Sequence, residues 1–213
     1  MAINNEKRQA SKLKREQLRQ LVLLALFVAI ELMMQVTGLS FIPIGPLHMS
    51  LLTIPVALGA MLLGPVQGCI LGTVFGLCSL WQAITGASPM TGFFFSQVSA
   101  FHTIVLCVVT RALMGLLTGF LFRFARRLDK RHTVCYFVGG ICAPLLNTLL
   151  FMGYIVLVFY NSSYIQDWLA DHSVVGPLAF VLTMVGVQGL LEAAAGLIIG
   201  GGVGKGVAVA LKQ

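Results

Sequence analysis

Arg111 is the one basic residue of this chain that lies inside a long apolar run; the other lysines and arginines fall in the first 19 residues, between Arg123 and Arg131, or in the last nine. Two carboxylates, Glu31 and Glu192, are isolated in the same way. A charged side chain in hydrocarbon is costly unless it is paired or hydrated, so three such groups must converge on one another or on water. Counting residues brings them to one level. From Arg19 to Glu31 and from Arg111 to Arg123 is 12 residues, and from Glu192 to Lys205 is 13. At the helical rise each group stands about 18–20 Å from the basic boundary. The amides Gln35, Gln82, Asn147 and Gln188 stand one layer further along, about 24–26 Å from that boundary.

Helical phase gathers these groups into faces. Gln188 and Glu192 are four apart, as are Glu31 and Gln35, and Asn147, Phe151 and Tyr154 form a third stripe. Polar heads among aromatic walls suit a small organic molecule. The same residues also fit a second reading, in which Arg111 makes a structural ion pair with one glutamate and the amides bond helix to helix. Trp81, Phe93, Phe94 and Phe95 flank the same layer and would close over an apolar face of a ligand. His48 is kept as a ligand contact; His102, His132 and His172 lie near span ends, where an interfacial imidazole is ordinary. Cys69, Cys78, Cys107, Cys135 and Cys142 show no C-x-x-C spacing and read as small buried hydrophobes, so no metal site or cofactor is expected.

The elements that hold this layer are membrane helices. The chain is 58% hydrophobic with a mean hydropathy of +0.93, yet carries a formal net charge of +7. Its charge is therefore segregated by compartment. Six apolar runs, near 20–37, 48–63, 66–84, 99–122, 133–160 and 174–203, predict an all-α integral membrane protein. The stretch Leu39 to Leu47, which carries Pro and Gly, either stands free or dips back into the bilayer. Residues 1–19 form a basic segment ahead of a six-helix domain over 20–213. The basic clusters all fall on one side of this topology, which the positive-inside rule makes cytoplasmic, with both termini there. No small-residue cleavage pattern follows Met34, and five more spans come after it, which speaks against a cleaved leader. Basic residues beside membrane helices reflect topology and anionic lipid, so nucleic acid is not an expected partner.

Small residues mark helix contacts. Gly115 and Gly119, and Gly196, Gly200 and Gly204, are spaced for packing inside the bundle. Ala25 and Ala29 point roughly 140° away from Glu31 on the first helix and predict an outer face that meets a partner subunit. No nucleophile–base pair or acidic metal motif stands at the depth of Arg111, so a binding or transport subunit is expected rather than an enzyme. The remaining alternative is a non-transporting membrane scaffold.

The segments IPIGPLHMSLLTIPVALGAMLLGPVQGCILGTVFGLCSLWQA, TRALMGLLTGFLF, PLLNTLLFMG and VQGLLEA, with Ala25-x-x-x-Ala29, resemble in order and spacing the substrate-binding S components of energy-coupling factor (ECF) vitamin transporters. The likeness is to the branch that includes pantothenate and folate S components. Thr110 departs from the proline that relatives often carry before the arginine, and Gln188 from an asparagine. The resemblance implies a vitamin-binding subunit of a bacterial cell membrane, its ligand covered by the loops after spans one, three and five. It implies docking through the alanine motif on a transmembrane T subunit that works with two ABC ATPases. In agreement, no G-x-x-x-x-G-K-[ST] phosphate loop is present. Pantothenate, a carboxylate with hydroxyl and amide groups, matches Arg111 with Gln82, Asn147 and Gln188. Glu31 and Glu192 could instead neutralise Arg111, which would favour a ligand with donor groups. Folate, pyridoxine, hydroxymethylpyrimidine, riboflavin and cobalamin remain the alternatives.

Overall fold

The computed structural model describes residues 2–44, 47–129 and 133–210, without the side chains of 2–8, 10, 11, 41–44, 47–49 and 187. Its first element, α1 (Ala2–Val36), is a single unbroken helix of 35 residues. At the helical rise it is about 52 Å long, well over the thickness of a hydrocarbon core. The basic segment and the first span are therefore one rod. Next come two short antiparallel strands, β1 (Phe41–Ile44) and β2 (Leu47–Ser50). They are followed by α2 (Thr53–Leu62), α3 (Pro65–Thr85) and the short α4 (Pro89–Phe93). A second half comprises α5 (Ala100–Ile104), α6 (Thr110–Leu128), α7 (Val134–Tyr154), α8 (Ser163–Asp171), α9 (Pro177–Ala195) and α10 (Gly202–Ala210).

Wide π turns at Val105–Val109 and Gly196–Gly201 join α5 to α6 and α9 to α10, and a third, Ile155–Phe159, extends α7. Among the described residues, five helical stretches are long and apolar enough to cross a membrane: Lys12–Val36, Pro65–Thr85, Ala100–Leu128, Val134–Phe159 and Gln188–Ala210. The expected second span, 48–63, differs. Its first residues pair as β2, and the helix that follows has ten residues, about 15 Å, too short to cross alone. Hydropathy sees only that this stretch is apolar, and an apolar run does not distinguish a buried strand from a helix. Of the stretch Leu39 to Leu47, Phe41–Ile44 and Leu47 accordingly enter paired strands.

Packing divides into two apolar clusters. The cluster nearer the basic end gathers Phe27, Val56, Leu58, Met61, Leu71, Phe75, Met114, Phe122 and Tyr136 from α1, α2, α3, α6 and α7. The opposite cluster gathers Met90, Phe94, Leu106, Met152, Ile155, Phe159, Ile165, Leu169, Phe180 and Met184. Here α4, α8 and the Phe94–Val98 π turn fold the connecting segments into a helical cap, with Phe94 stacked on Phe159 at 4.3 Å.

The helices of the first cluster approach backbone to backbone. Gly68, Gly72 and Gly76 repeat every four residues along α3. A Cβ on Gly72 would collide with the carbonyl of Arg111, and one on Gly76 would sit 2.7 Å from the carbonyl of Cys107. Gly115 and Gly119 answer from α6 against Gly68 and Pro65. On the other side Pro144 cannot donate to the carbonyl of Gly140, and that carbonyl lies against Gly196. Small residues thus pack the bundle internally, as their spacing predicts. Replacing Gly72 with Val should cost about 1–3 kcal/mol through overpacking, read as a lower midpoint of thermal unfolding in detergent. Gly153, on α7, is the control, because a Cβ there would meet nothing within 4 Å. Gly153→Ala should leave that midpoint unchanged or raise it, since alanine is favoured over glycine in a helix interior.

Candidate functional site

The seam between the two clusters is polar. Glu31 is fully buried and Arg111 and Glu192 are 4% exposed, so all three isolated charges lie inside the bundle. Arg111 leaves α6 just after the Val105–Val109 π turn, and its Nη1 donates to the carbonyls of Leu106 (3.3 Å) and Cys107 (3.2 Å). Thr110 Oγ1 also donates to Leu106, so where a proline would remove a backbone donor, threonine adds a hydroxyl. The guanidinium carbon sits 4.7 Å from the ring centre of Phe75 and 4.4 Å from that of Phe151. Its charge is thus stabilised by two ring faces and two carbonyl dipoles. The alternative ion pair of Arg111 with a glutamate is not formed among the described residues: Glu192 is near enough to act on Arg111 electrostatically, but its hydrogen bonds go elsewhere.

Glu192 Oε1 accepts from the backbone N–H of Ser50 at 2.7 Å and from Gln188 Nε2 at 3.1 Å. Across the bundle, Gln35 Oε1 accepts from Ser40 Oγ at 2.9 Å and from Gln82 Nε2 at 3.5 Å. Ser40 precedes β1 and Ser50 ends β2, and Leu51 N closes the base by donating to Ser40 O. The hairpin neck is therefore gripped from two sides, by α1 through the Gln35 amide, which Gln82 of α3 braces, and by α9 through a carboxylate.

Other polar atoms have no such employment. Both carboxylate oxygens of Glu31, Nε of Arg111 and Oδ1 of Asn147 are buried without a hydrogen-bond partner among the described residues. They come from α1, α6 and α7. Asn147 lies one turn from Phe151, on the face of α7 that meets Arg111. Glu31 lies close enough to Cys78 for its charge to act there, one turn from Phe75 on α3. A buried polar group left unpaired costs about 1–3 kcal/mol. Carried by three helices of one bundle, such atoms are what recognition of a carboxylate, hydroxyl or amide requires.

Two further residues singled out in the sequence lie elsewhere. Trp81 is 63% exposed, on the outside of α3. Tyr154 bonds His102 Nδ1 at 2.9 Å, at the edge of the cap beside Phe159. His48 pairs with Pro43 in the hairpin, and its side chain lies outside the described residues. Phe94 is wholly buried in the cap, and Phe93 meets Tyr164. Four contributors were missed: Phe75, Ser40, Ser50 and the carbonyls freed by the π turn. Phase alone could have found Phe75, which shares a face of α3 with Cys78 and Gln82.

The model of the family described as ECF transporter, substrate-specific component matches residues 19–200. A pantothenate transporter PanT of Leuconostoc mesenteroides subsp. mesenteroides is 26% identical over 199 residues, which cover 88% of this chain and 91% of the relative. A pantothenic acid transporter PanT of Lactococcus lactis subsp. cremoris is 29% identical over 123 residues, 53% of this chain and 62% of the relative.

Glu192→Ala would leave the Ser50 N–H buried without its acceptor. At about 1–3 kcal/mol, opening of the hairpin should become roughly 5- to 150-fold easier. Hydrogen exchange should then accelerate at residues 40–51 and stay unchanged in α3 and α6.

Proposed function

This chain belongs to the family of substrate-specific components of ECF transporters, and on that premise we propose that it captures pantothenate at the polar seam and hands it to separate energising subunits. It is a multi-pass protein of the bacterial plasma membrane. In this reading the backbone crosses six times, with the hairpin and α2 together completing the second crossing, and both termini are cytoplasmic. The cap of α4 and α8 then faces outward, over the side from which ligand arrives.

The observation that carries the reading is the buried Arg111 guanidinium, held between Phe75 and Phe151 with its Nε unpartnered, in a bundle that also leaves Asn147 Oδ1 and both Glu31 oxygens without partners among the described residues. Arg111 would take the ligand carboxylate through charge-assisted hydrogen bonds. The Asn147 amide would bond the ligand's amide, and the Glu31 carboxyl its hydroxyls. The names of the two relatives support pantothenate over the other vitamins. Gln82, Gln188 and Glu192 would serve indirectly, by holding the hairpin over the seam. The chain has no phosphate loop of its own, so ATP hydrolysis falls to two ABC ATPases joined through a T subunit. Ala25 and Ala29, both exposed on α1, would form the docking face.

Purified protein should bind radiolabelled pantothenate saturably, in preference to folate, pyridoxine, hydroxymethylpyrimidine, riboflavin and cobalamin. Arg111→Ala should weaken binding by about 2–5 kcal/mol, roughly 30- to 4,000-fold, with the helical circular dichroism unchanged. Absence of saturable pantothenate binding by the wild type overturns the ligand. Docking is tested separately: Ala25→Leu with Ala29→Leu should abolish uptake by the assembled transporter while ligand binding is retained, and unchanged uptake would remove the docking face.

A further inference from the structure

At the basic end of the bundle, the seam between α6 and α7 opens into a groove of 370 Å³ lined by Ala125, Leu128, Asp129, Val134, Cys135 and Val138. We propose that this groove binds an anionic glycerophospholipid, with an acyl chain along the apolar lining and the phosphate against Arg126. It is independent of the ligand assigned above.

Five of the six lining residues are uncharged, as a hydrocarbon chain requires. The sixth, Asp129, has its carboxylate engaged: Oδ2 accepts from the backbone N–H of Thr133 at 2.8 Å and of Cys135 at 3.0 Å, capping the start of α7. The groove's one acid is thus turned onto peptide donors. Among the described residues, the cation beside this lining is Arg126, next to Ala125, half-buried on the last turn of α6 and close enough to act electrostatically on both Cys135 and Tyr136 across the seam. Arg123, one turn earlier, is directed elsewhere, with its guanidinium over Gly64. The groove also lies at the level where the basic residues mark the membrane boundary, which is where a lipid phosphate resides.

A second groove shows what charge adds. Between α7 and α9, 530 Å³ is lined by Leu145, Leu149, Met152, Val156, Pro177 and Val181 among others, with no ionisable side chain. Nothing there distinguishes one headgroup from another. The α6–α7 groove pairs apolar lining with a cation, and that pairing selects a lipid by its charge.

Native mass spectrometry of the full chain, with phosphatidylglycerol and phosphatidylcholine of identical acyl chains as probes, tests the proposal. The wild type should retain phosphatidylglycerol in preference. Arg126→Gln should reduce that preference about fivefold, the weight of one basic residue near an anionic surface. Arg126→Lys should keep most of it. Val138→Trp, which fills the groove, should reduce retention of phosphatidylglycerol, whereas Leu149→Trp in the other groove should leave the preference unaltered. Equal retention of the two lipids by the wild type, or a preference indifferent to Arg126→Gln, overturns the assignment. So does equal retention combined with loss of ATPase co-purification in Arg126→Gln, which would reassign the surface to a protein partner.

Discussion

A guanidinium sunk in hydrocarbon must be solvated by protein, and the way Arg111 is solvated constrains the rest of the bundle. Two ring faces, two carbonyls and the field of a nearby carboxylate replace its water. Each of these has a structural precondition. The carbonyls of Leu106 and Cys107 lie within reach because the helix widens at Val105–Val109, and π turns of this kind recur at functional sites. The Phe75 ring reaches the cation because α3 and α6 touch at Gly72, where the backbone of Arg111 itself passes. Phe151 reaches it from α7, the helix that Gly140 and Gly196 hold against the last span. The glycine contacts and the cation site are thus consequences of one geometry.

Below and above this level the chain uses different materials. Toward the basic end, helices meet through glycine backbones, which fix their separation because there is no side chain to rearrange. Toward the other end, contacts are made by phenylalanine, methionine, isoleucine and tyrosine on short helices and π turns. Large side chains on short elements can repack with modest backbone shifts, and helices of five to nine residues have little stability of their own. A bundle firm at one end and adaptable at the other, with its polar groups at the junction, is suited to admitting a molecule from the adaptable end.

Much of this was legible in the sequence. That Glu31, Arg111 and Glu192 would lie inside the bundle followed from their isolation in apolar runs, and all three are buried. Internal packing by Gly115, Gly119 and Gly196 followed from spacing. What spacing could not convey was partnership across the bundle. Gln82, Gln188 and Glu192 read as ligand contacts because they are polar at the right depth, yet Glu192 engages the hairpin neck at Ser50, Gln188 engages Glu192, and Gln82 engages Gln35, which holds Ser40. The hairpin itself was hidden, since Phe41 to Ser50 is apolar and lacks the polar alternation that marks a half-exposed strand. Trp81 was a matter of phase: it is adjacent to Gln82 in sequence but about 100° away on the helix, and it faces out.

The two buried glutamates show why depth alone does not assign a role. Both are buried carboxyls on membrane helices, but Glu192 meets a backbone N–H and an amide while neither oxygen of Glu31 meets a donor among the described residues. The Glu192 carboxylate has a peptide dipole and an amide aimed at Oε1, so that oxygen is committed to the fold. Glu31 retains its full capacity, and the next polar residue on its own face, Gln35, is turned by its Oε1 toward Ser40 and Gln82 rather than toward Glu31. Arg111 shows the complementary condition, with Nη1 occupied and Nε open. An acceptor without donors and a cation without its carboxylate, in one seam yet not joined to each other, are what a molecule bearing both an acid and hydroxyl groups would bridge. A simple ion pair between Arg111 and Glu31 would have left neither available.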